Sequence, residues 1–174
     1  IHRHLKARGF EDMPVKGMAL QLSNISLNGD LGKKLDILDI TEAISKKDFD
    51  NWSIPISVSF DIENDIGYQF RNIFESLQKT KKMPWYTGYY HNKPISSLTI
   101  IFDNDSKVAS LYNAATLPEW RKNGYATEMV MHCLHIIAQK GYDWVVFQAN
   151  PKSAGVLEKL GLKTYANYQV YFKE

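Results

Sequence analysis

The chain has 174 residues, enough for one compact domain with a sizeable core and short for two. Its 21 basic and 19 acidic residues nearly cancel to a net charge of +2, and no block of lysine and arginine dominates, which argues against a dedicated nucleic-acid binder. No apolar run reaches the roughly 18 to 20 residues needed to span a bilayer, and no signal peptide is visible. The single cysteine, Cys133, cannot form an internal disulfide and fits a reducing, cytoplasmic compartment. The chain begins at Ile1, and a fragment of a longer protein is one expectation.

In chain order, Leu5 to Phe10 reads as a helix end stopped by Gly9. Residues 18–22 alternate as a half-buried strand, and Asn28-Gly29-Asp30 is a turn signal. Residues 35–40 read as a strand. Thr41 or Ser45 then caps a helix toward Trp52, and Pro55 breaks or kinks that region. Apolar residues at helical spacing between 64 and 81 predict a second amphipathic helix, and the basic run 79–82 suits its solvated end. Strands at 85–90, 95–102 and 108–116, joined by short polar turns, form an antiparallel meander. A long helix over 125–140 ends at Gly141. The apolar run 144–148 predicts a strand buried on both faces. A short helix over 151–160 and a strand over 165–172 close the chain. Residues 5–22 echo 157–170, each a helix end, a glycine and a strand.

Chemistry concentrates in Arg121-Lys122-Asn123-Gly124-Tyr125-Ala126, between a strand and the long helix. A helix N-terminus carries N–H groups without internal partners and a partial positive charge, which is a natural anion site. Gly124 allows close approach or positive φ. Ala126 is small, Thr127 adds a hydroxyl, and Arg121 and Lys122 add charge. The loop is neither a Walker A motif nor a dinucleotide fingerprint. Taken alone, a glycine near a helix start also reads as a simple turn.

The surroundings extend the pattern. Ala115, Thr116, Pro118, Arg121, Gly124 and Ala126 have the spacing of the loop that heads the main helix in GNAT acyltransferases. Gln148, Ala149, Asn150, Leu160 and Gly161 match a downstream motif. The chain resembles that family well over residues 85–172 and loosely over 35–82. The resemblance implies an α/β (α+β) fold, with a mixed, mostly antiparallel central sheet and helices on both faces. It divides the chain into a 1–34 extension, read as the tail of a preceding GNAT-like lobe, and a 35–174 acyltransferase domain.

The resemblance also implies acetyl-CoA as cosubstrate. The backbone of Ala114, Ala115 and Thr116 would hold the pantetheine arm beside a β-bulge. The amides of Lys122, Asn123, Gly124, Tyr125, Ala126 and Thr127 would hold the pyrophosphate, helped by the Arg121 and Lys122 side chains. Lys152 and Lys159 are candidates for the outer phosphate. Asn150 reads either as a cofactor contact or as a helix cap before Pro151. The implied activity is N-acetyl transfer to an amine of a small molecule or a protein. The alternative is a non-catalytic acyl-CoA-binding module, because Leu157 stands where many members carry a proton-donating tyrosine. Tyr125, Tyr165 and Tyr168 are replacement phenols. Tyr112, Asn113 and His91 lie near the expected cleft, but no residue is assigned as general base or acid. His132 and His135 lack the partners of a metal site, and Cys133 falls on the apolar helical face.

Overall fold

The computed structural model describes residues 2–24, 37–62, 73, 76, 77, 80 and 82–173. Helix α1 spans His2–Lys6 and β1 spans Glu11–Gln21. Then come β2 (Asp39–Glu42), α2 (Lys46–Phe60), β3 (Trp85–Tyr90), β4 (Lys93–Asp103) and β5 (Val108–Thr116). Helix α3 (Tyr125–Gln139), β6 (Trp144–Ala149), α4 (Ala154–Lys159) and β7 (Lys163–Phe172) complete the chain. Seven strands form one sheet in the order β2-β3-β4-β5-β6-β1-β7. Every neighbouring pair is antiparallel except β5 and β6, which run parallel. This is the mixed, mostly antiparallel sheet expected.

The two faces of the sheet are sorted by strand alternation. On β4, Leu98 and Ile100 face the main core with Met129, Leu134 and Ile137 of α3. Ser97, just before Leu98, faces α2, where its hydroxyl donates to the Trp52 carbonyl at 2.6 Å. Helices therefore cover both faces. A second cluster of Phe49, Trp52, Ile56 and Trp85 fixes α2 to the sheet, with the Phe49 and Trp52 rings stacked at 5.1 Å.

Helix α2 begins where expected. Ser45 and Asp48 form a reciprocal capping box. Pro55 does not end it: the helix runs five residues further, to Phe60. An interior proline costs about 3 kcal/mol, and burial of the aromatic cluster beneath it offsets that cost.

Several expected boundaries move. The strand expected at 18–22 starts at Glu11; of the one expected at 35–40, residues 35 and 36 lie outside the described residues, as does the turn expected at 28–30, and the described strand is Asp39–Glu42. The helix expected over 64–81 lies outside the described residues, except that 73, 76 and 77 are helical. Strand β6 is buried on one face only: Val145, Phe147 and Ala149 are buried, Trp144 and Val146 are half-buried, and Gln148 is exposed. The second face is open because α2 contacts β3, β4 and β5. Strand β1, which falls in the expected 1–34 extension, is an inner strand of the sheet between β6 and β7. No described helix is long and apolar enough to cross a membrane.

Candidate active site

The parallel ladder between β5 and β6 is short. It pairs Val108 with Trp144 through Leu111 with Phe147, although β5 continues to Thr116 and β6 to Ala149. The strands part beyond Leu111. The cause lies in β5: the β4–β5 register shifts between Ser97 and Thr99, and Asn113 sits opposite that shift with φ +52°. An extra residue in one strand bends it and increases its twist. The expected bulge is therefore present, just before Ala114.

The open edge of β5 follows from hydrogen-bond alternation. The Leu117 N–H donates to the Ile95 carbonyl at 2.9 Å, and alternate residues of an antiparallel strand face the same neighbour. Ala115 thus faces β4, while Ala114 and Thr116 turn their peptide groups toward the gap. The Thr116 carbonyl is engaged: Arg121 Nε donates to it at 2.9 Å and the Ser59 hydroxyl at 3.2 Å. Ala114 presents the backbone groups that remain for an extended ligand lying along the strand.

After β5, a short 3-10 turn at Pro118–Trp120 leads into the loop. Lys122 has φ +67° and Gly124 φ +88°, and Asn123 between them is not in the positive-φ region. Alternating signs of φ turn successive N–H groups inward and form a concave anion nest. Gly124 is the N-cap of α3 and has no side chain to satisfy the helix amides. Asn123 secures the loop from within, its amide donating to the Trp120 and Arg121 carbonyls, each at 3.2 Å. Lys122, Asn123 and Ala126 are exposed, Gly124 and Thr127 are half-buried and Tyr125 is buried. The nest and the first helical turn together offer an open anion site.

Arg121 is held differently from Lys122. Its Nη2 reaches the Ser59 hydroxyl at 3.3 Å while Nε holds Thr116. The guanidinium ties the loop to the end of β5 and to the last turn of α2. The sequence pattern suggests phosphate oxygens for Arg121 and carries no signal for Ser59, which is remote in the chain.

Below the loop, Tyr125 packs with Trp120 and Tyr90, the Tyr90–Trp120 ring centres lying 5.1 Å apart. Burial raises the Tyr125 phenol above its ordinary value, with Tyr90 and Glu128 adding to the shift. Glu128 was not anticipated. It is 5% exposed, and its Oε1 accepts the backbone N–H of Ile37 at 3.0 Å and of Leu38 at 3.2 Å. Its other oxygen has no partner among the described residues. An acidic residue in the first turn suits the helix dipole, and that was the available sequence signal.

Just after β6, the Asn150 Oδ1 accepts the N–H of Lys152 at 2.9 Å and of Ser153 at 3.0 Å, which secures a turn over 151–153; the N-cap of α4 is Ser153, not Asn150 as the helix-cap reading expects. Leu157 is 2% exposed within the main core. Tyr165 and Tyr168 lie on β7, and Tyr168 lines a cavity of about 270 Å³ together with Tyr112, Gln148, Val146 and Gly17. That cavity opens on the α2 face beside the point where β5 and β6 part. Burial, and then proximity to Tyr112, raises the Tyr168 phenol. His91 is exposed in a two-residue turn with Asn92, both at positive φ. His135 Nδ1 bonds the Met131 carbonyl, the His132 ring meets Tyr86 edge-on, and no metal-binding cluster exists among the described residues. Lys152 and Lys159 are exposed. Cys133 is fully buried and its thiol is pushed up by burial.

The sequence model of the acetyltransferase (GNAT) family matches residues 47–162. No curated protein sequence matches the chain. Among solved structures, a functionally unknown conserved protein of Staphylococcus epidermidis superposes with TM-score 0.74 at 12% identity, over 99% of this chain and 66% of its own. A GCN5-related N-acetyltransferase-like protein of Streptococcus suis gives 0.68 at 13% identity, covering 98% and 65%. A predicted acetyltransferase of Clostridium acetobutylicum, solved with acetyl-CoA, gives 0.58 at 18% identity, covering 72% and 90%. At these identities the likeness is one of fold. The chain spans about two thirds of the length of the Staphylococcus and Streptococcus proteins.

Proposed function

From the premise that the chain belongs to the GNAT acetyltransferase family, we propose that it transfers an acetyl group from acetyl-CoA to an amine by direct attack. The observation that carries this is one conjunction. An anion nest at the head of α3 lies at the end of a strand whose edge has been opened by a bulge. The nest and the first-turn amides from Lys122 to Thr127 suit a pyrophosphate. Ala114 suits an amide-bearing arm, and the apex of the gap near Leu111 is where an arm laid along β5 must stop. At the apex the amine nitrogen attacks the thioester carbonyl, the C–N bond forms and the C–S bond breaks. The nitrogen's surplus proton ends on the departing sulfur. Holding both reactants there removes much of the entropic barrier, and a backbone N–H of the open edge can stabilise the oxyanion. The acceptor is a small-molecule or protein amine, and buried Cys133 fits a reducing cytoplasm. Calorimetry should detect acetyl-CoA binding that disappears in Gly124→Trp. Absence of binding to the unmodified protein at millimolar cofactor would overturn the reading.

Leu157 favours a second reading, a non-catalytic acyl-CoA-binding module, since a leucine buried to 2% exposure donates no proton. Cofactor binding without thiol release across a broad amine panel would support it. Thiol release with any amine would remove it.

The register of β1 and β7 supports the expectation that residues 1–34 are the tail of a preceding GNAT-like lobe. Aligning Gly9 on Gly161 equates Val15 with Asn167 and Lys16 with Tyr168. In the sheet Val15 pairs with Tyr168 and Lys16 with Asn167. Each strand therefore pairs with its counterpart about a local two-fold. Among the described residues β7 is the terminal strand of the sheet, and a second lobe related by that two-fold would cover its edge. In a polypeptide carrying such a lobe before residue 1, the outward amides of β7 should exchange slowly. Equally fast exchange with and without it would refute this.

A further inference from the structure

Resting on the acetyl-transfer reading above, we infer that the cavity on the α2 face is the acceptor subsite, and that it takes a flat, apolar arylalkyl amine rather than a polyamine or an amino sugar. The register places its walls at the level where the acyl group must stop. Leu111 pairs with Phe147, the last pair before the strands part. Gln148, the next residue on β6, pairs with Gly17 of β1, and Gly17 pairs with Ala166 of β7. Tyr112, Gln148, Gly17 and Ala166 thus form one row across the sheet, starting at the apex.

The absence of a side chain at Gly17 shapes the groove. A Cβ built there would lie 3.3 Å from the Ala166 Cβ and 3.4 Å from Cε1 of Tyr168. The Tyr168 ring therefore lies across β1, over a floor of small residues. Tyr112, 37% exposed, stands on the opposite side. Three phenol rings, with Tyr165 beside Tyr112 and Tyr168, around a floor of glycine and alanine make a slot suited to another flat ring. Its volume of about 270 Å³ is just below the range of about 300–1,000 Å³ usual for small-molecule pockets.

The polarity of the lining points the same way. Among the described residues that line it, none is charged; Ser110, Gln148 and the tyrosine hydroxyls supply the polar groups. A polyamine would leave several ammonium charges without carboxylate partners among these residues. A sugar would leave most of its hydroxyls facing apolar walls. A single amine on an aryl arm leaves one polar group, which points at the thioester, and a ring that replaces water on the slot.

The test measures thiol release with acetyl-CoA and, separately, 2-phenylethylamine, spermidine and glucosamine. The expected kcat/KM for 2-phenylethylamine exceeds the other two by about tenfold or more. Tyr168→Ala, on an exposed strand, raises KM for 2-phenylethylamine about tenfold while calorimetric acetyl-CoA affinity stays unchanged. Gly17→Val, which displaces the Tyr168 ring, does the same. Saturation-transfer NMR reads the groove without turnover: 2-phenylethylamine binds the unmodified protein and is lost in Tyr168→Ala. Preference for spermidine or glucosamine, an unchanged KM in Tyr168→Ala, or no NMR-detected binding overturns the inference. Failure of acetyl-CoA to bind overturns the transfer reading instead, and the NMR experiment still decides the groove.

Discussion

Gly124→Ala puts the loop geometry to a quantitative test. Gly124 has φ +88° and ψ −10° as the N-cap of α3. An alanine held in the left-handed region costs about 1–2 kcal/mol. In a domain of this size each kcal/mol lowers Tm by about 2–4 °C, so a strained loop predicts a fall of about 2–8 °C. The loop can instead relax to negative φ, which removes the strain but turns the amide that follows away from the nest. One charge-assisted hydrogen bond is worth about 1.5–3 kcal/mol, so acetyl-CoA affinity then falls about 10- to 100-fold. Either stability or affinity must suffer. Asparagine tolerates the left-handed region better than alanine, so Gly124→Asn should fall between the two. Gly155 is the control: it lies in α4, outside the positive-φ region, and a Cβ there meets nothing within 4 Å. Gly155→Ala should raise stability by about 0.5–1 kcal/mol and leave binding unchanged. The assays are thermal melts with and without acetyl-CoA and calorimetric titration. Unchanged Tm together with unchanged Kd in Gly124→Ala would refute the reasoning.

Three further outcomes follow from the same geometry. Arg121→Lys keeps the charge but loses the two-point hold on Thr116 and Ser59, so acetyl-CoA affinity should fall about tenfold by calorimetry, and prior removal of the Ser59 hydroxyl in Ser59→Ala should reduce that loss; additive effects would place Arg121 on the phosphate instead. Glu128→Ala leaves the buried Leu38 amide and the half-covered Ile37 amide without their acceptor, and chemical denaturation should show a loss of about 2–4 kcal/mol, against under 1 kcal/mol if the loop simply shifts to water. The Ser45 hydroxyl and amide hold the Asp48 carboxyl below its ordinary value. Its folded value is depressed, so its stabilisation is fully present above the unfolded-state value and is lost as pH falls through that value and then the lower folded one. Asp48→Asn should therefore flatten the acid limb of the stability curve, and an unchanged limb would show that the capping box contributes nothing measurable.

What could be read from the sequence divides along a physical line. The Ser45 cap, the three-strand meander and helix α3 were legible because each is written in a few neighbouring residues. The loop was legible for the same reason, Gly124 being the position that needs positive φ. The place of β1 was not legible: an alternating segment declares itself a strand, but its neighbours are fixed by long-range packing. Of the two readings of Pro55, a break or a kink, the break fails because propensity is local and the aromatic cluster that overrides it is not. The one-sided burial of β6 was hidden for a related reason, since a short apolar run does not say which face a helix will cover.

The departure at Leu157 gains its meaning from that packing. The side chain lies in the same core as Val130, Leu134 and Phe147, so α4 closes the hydrophobic core at this point. A phenol there would need a buried partner for its hydroxyl or would lose about 1–3 kcal/mol, and core overpacking adds a cost of similar size. Leu157→Tyr is therefore a poor way to restore a proton donor. The phenols that line the cavity beside the apex come instead from β5, as Tyr112, and from β7, as Tyr165 and Tyr168, on the opposite face of the sheet. Tyr168 reaches that position across β1 at Gly17. The strand least legible in the sequence thus floors the cavity, while the most legible segment, the loop at Gly124, is the one proposed to hold the cofactor. In this chain the features that suit acetyl-CoA are local and readable, and those that would select the acceptor depend on the order of strands in the sheet.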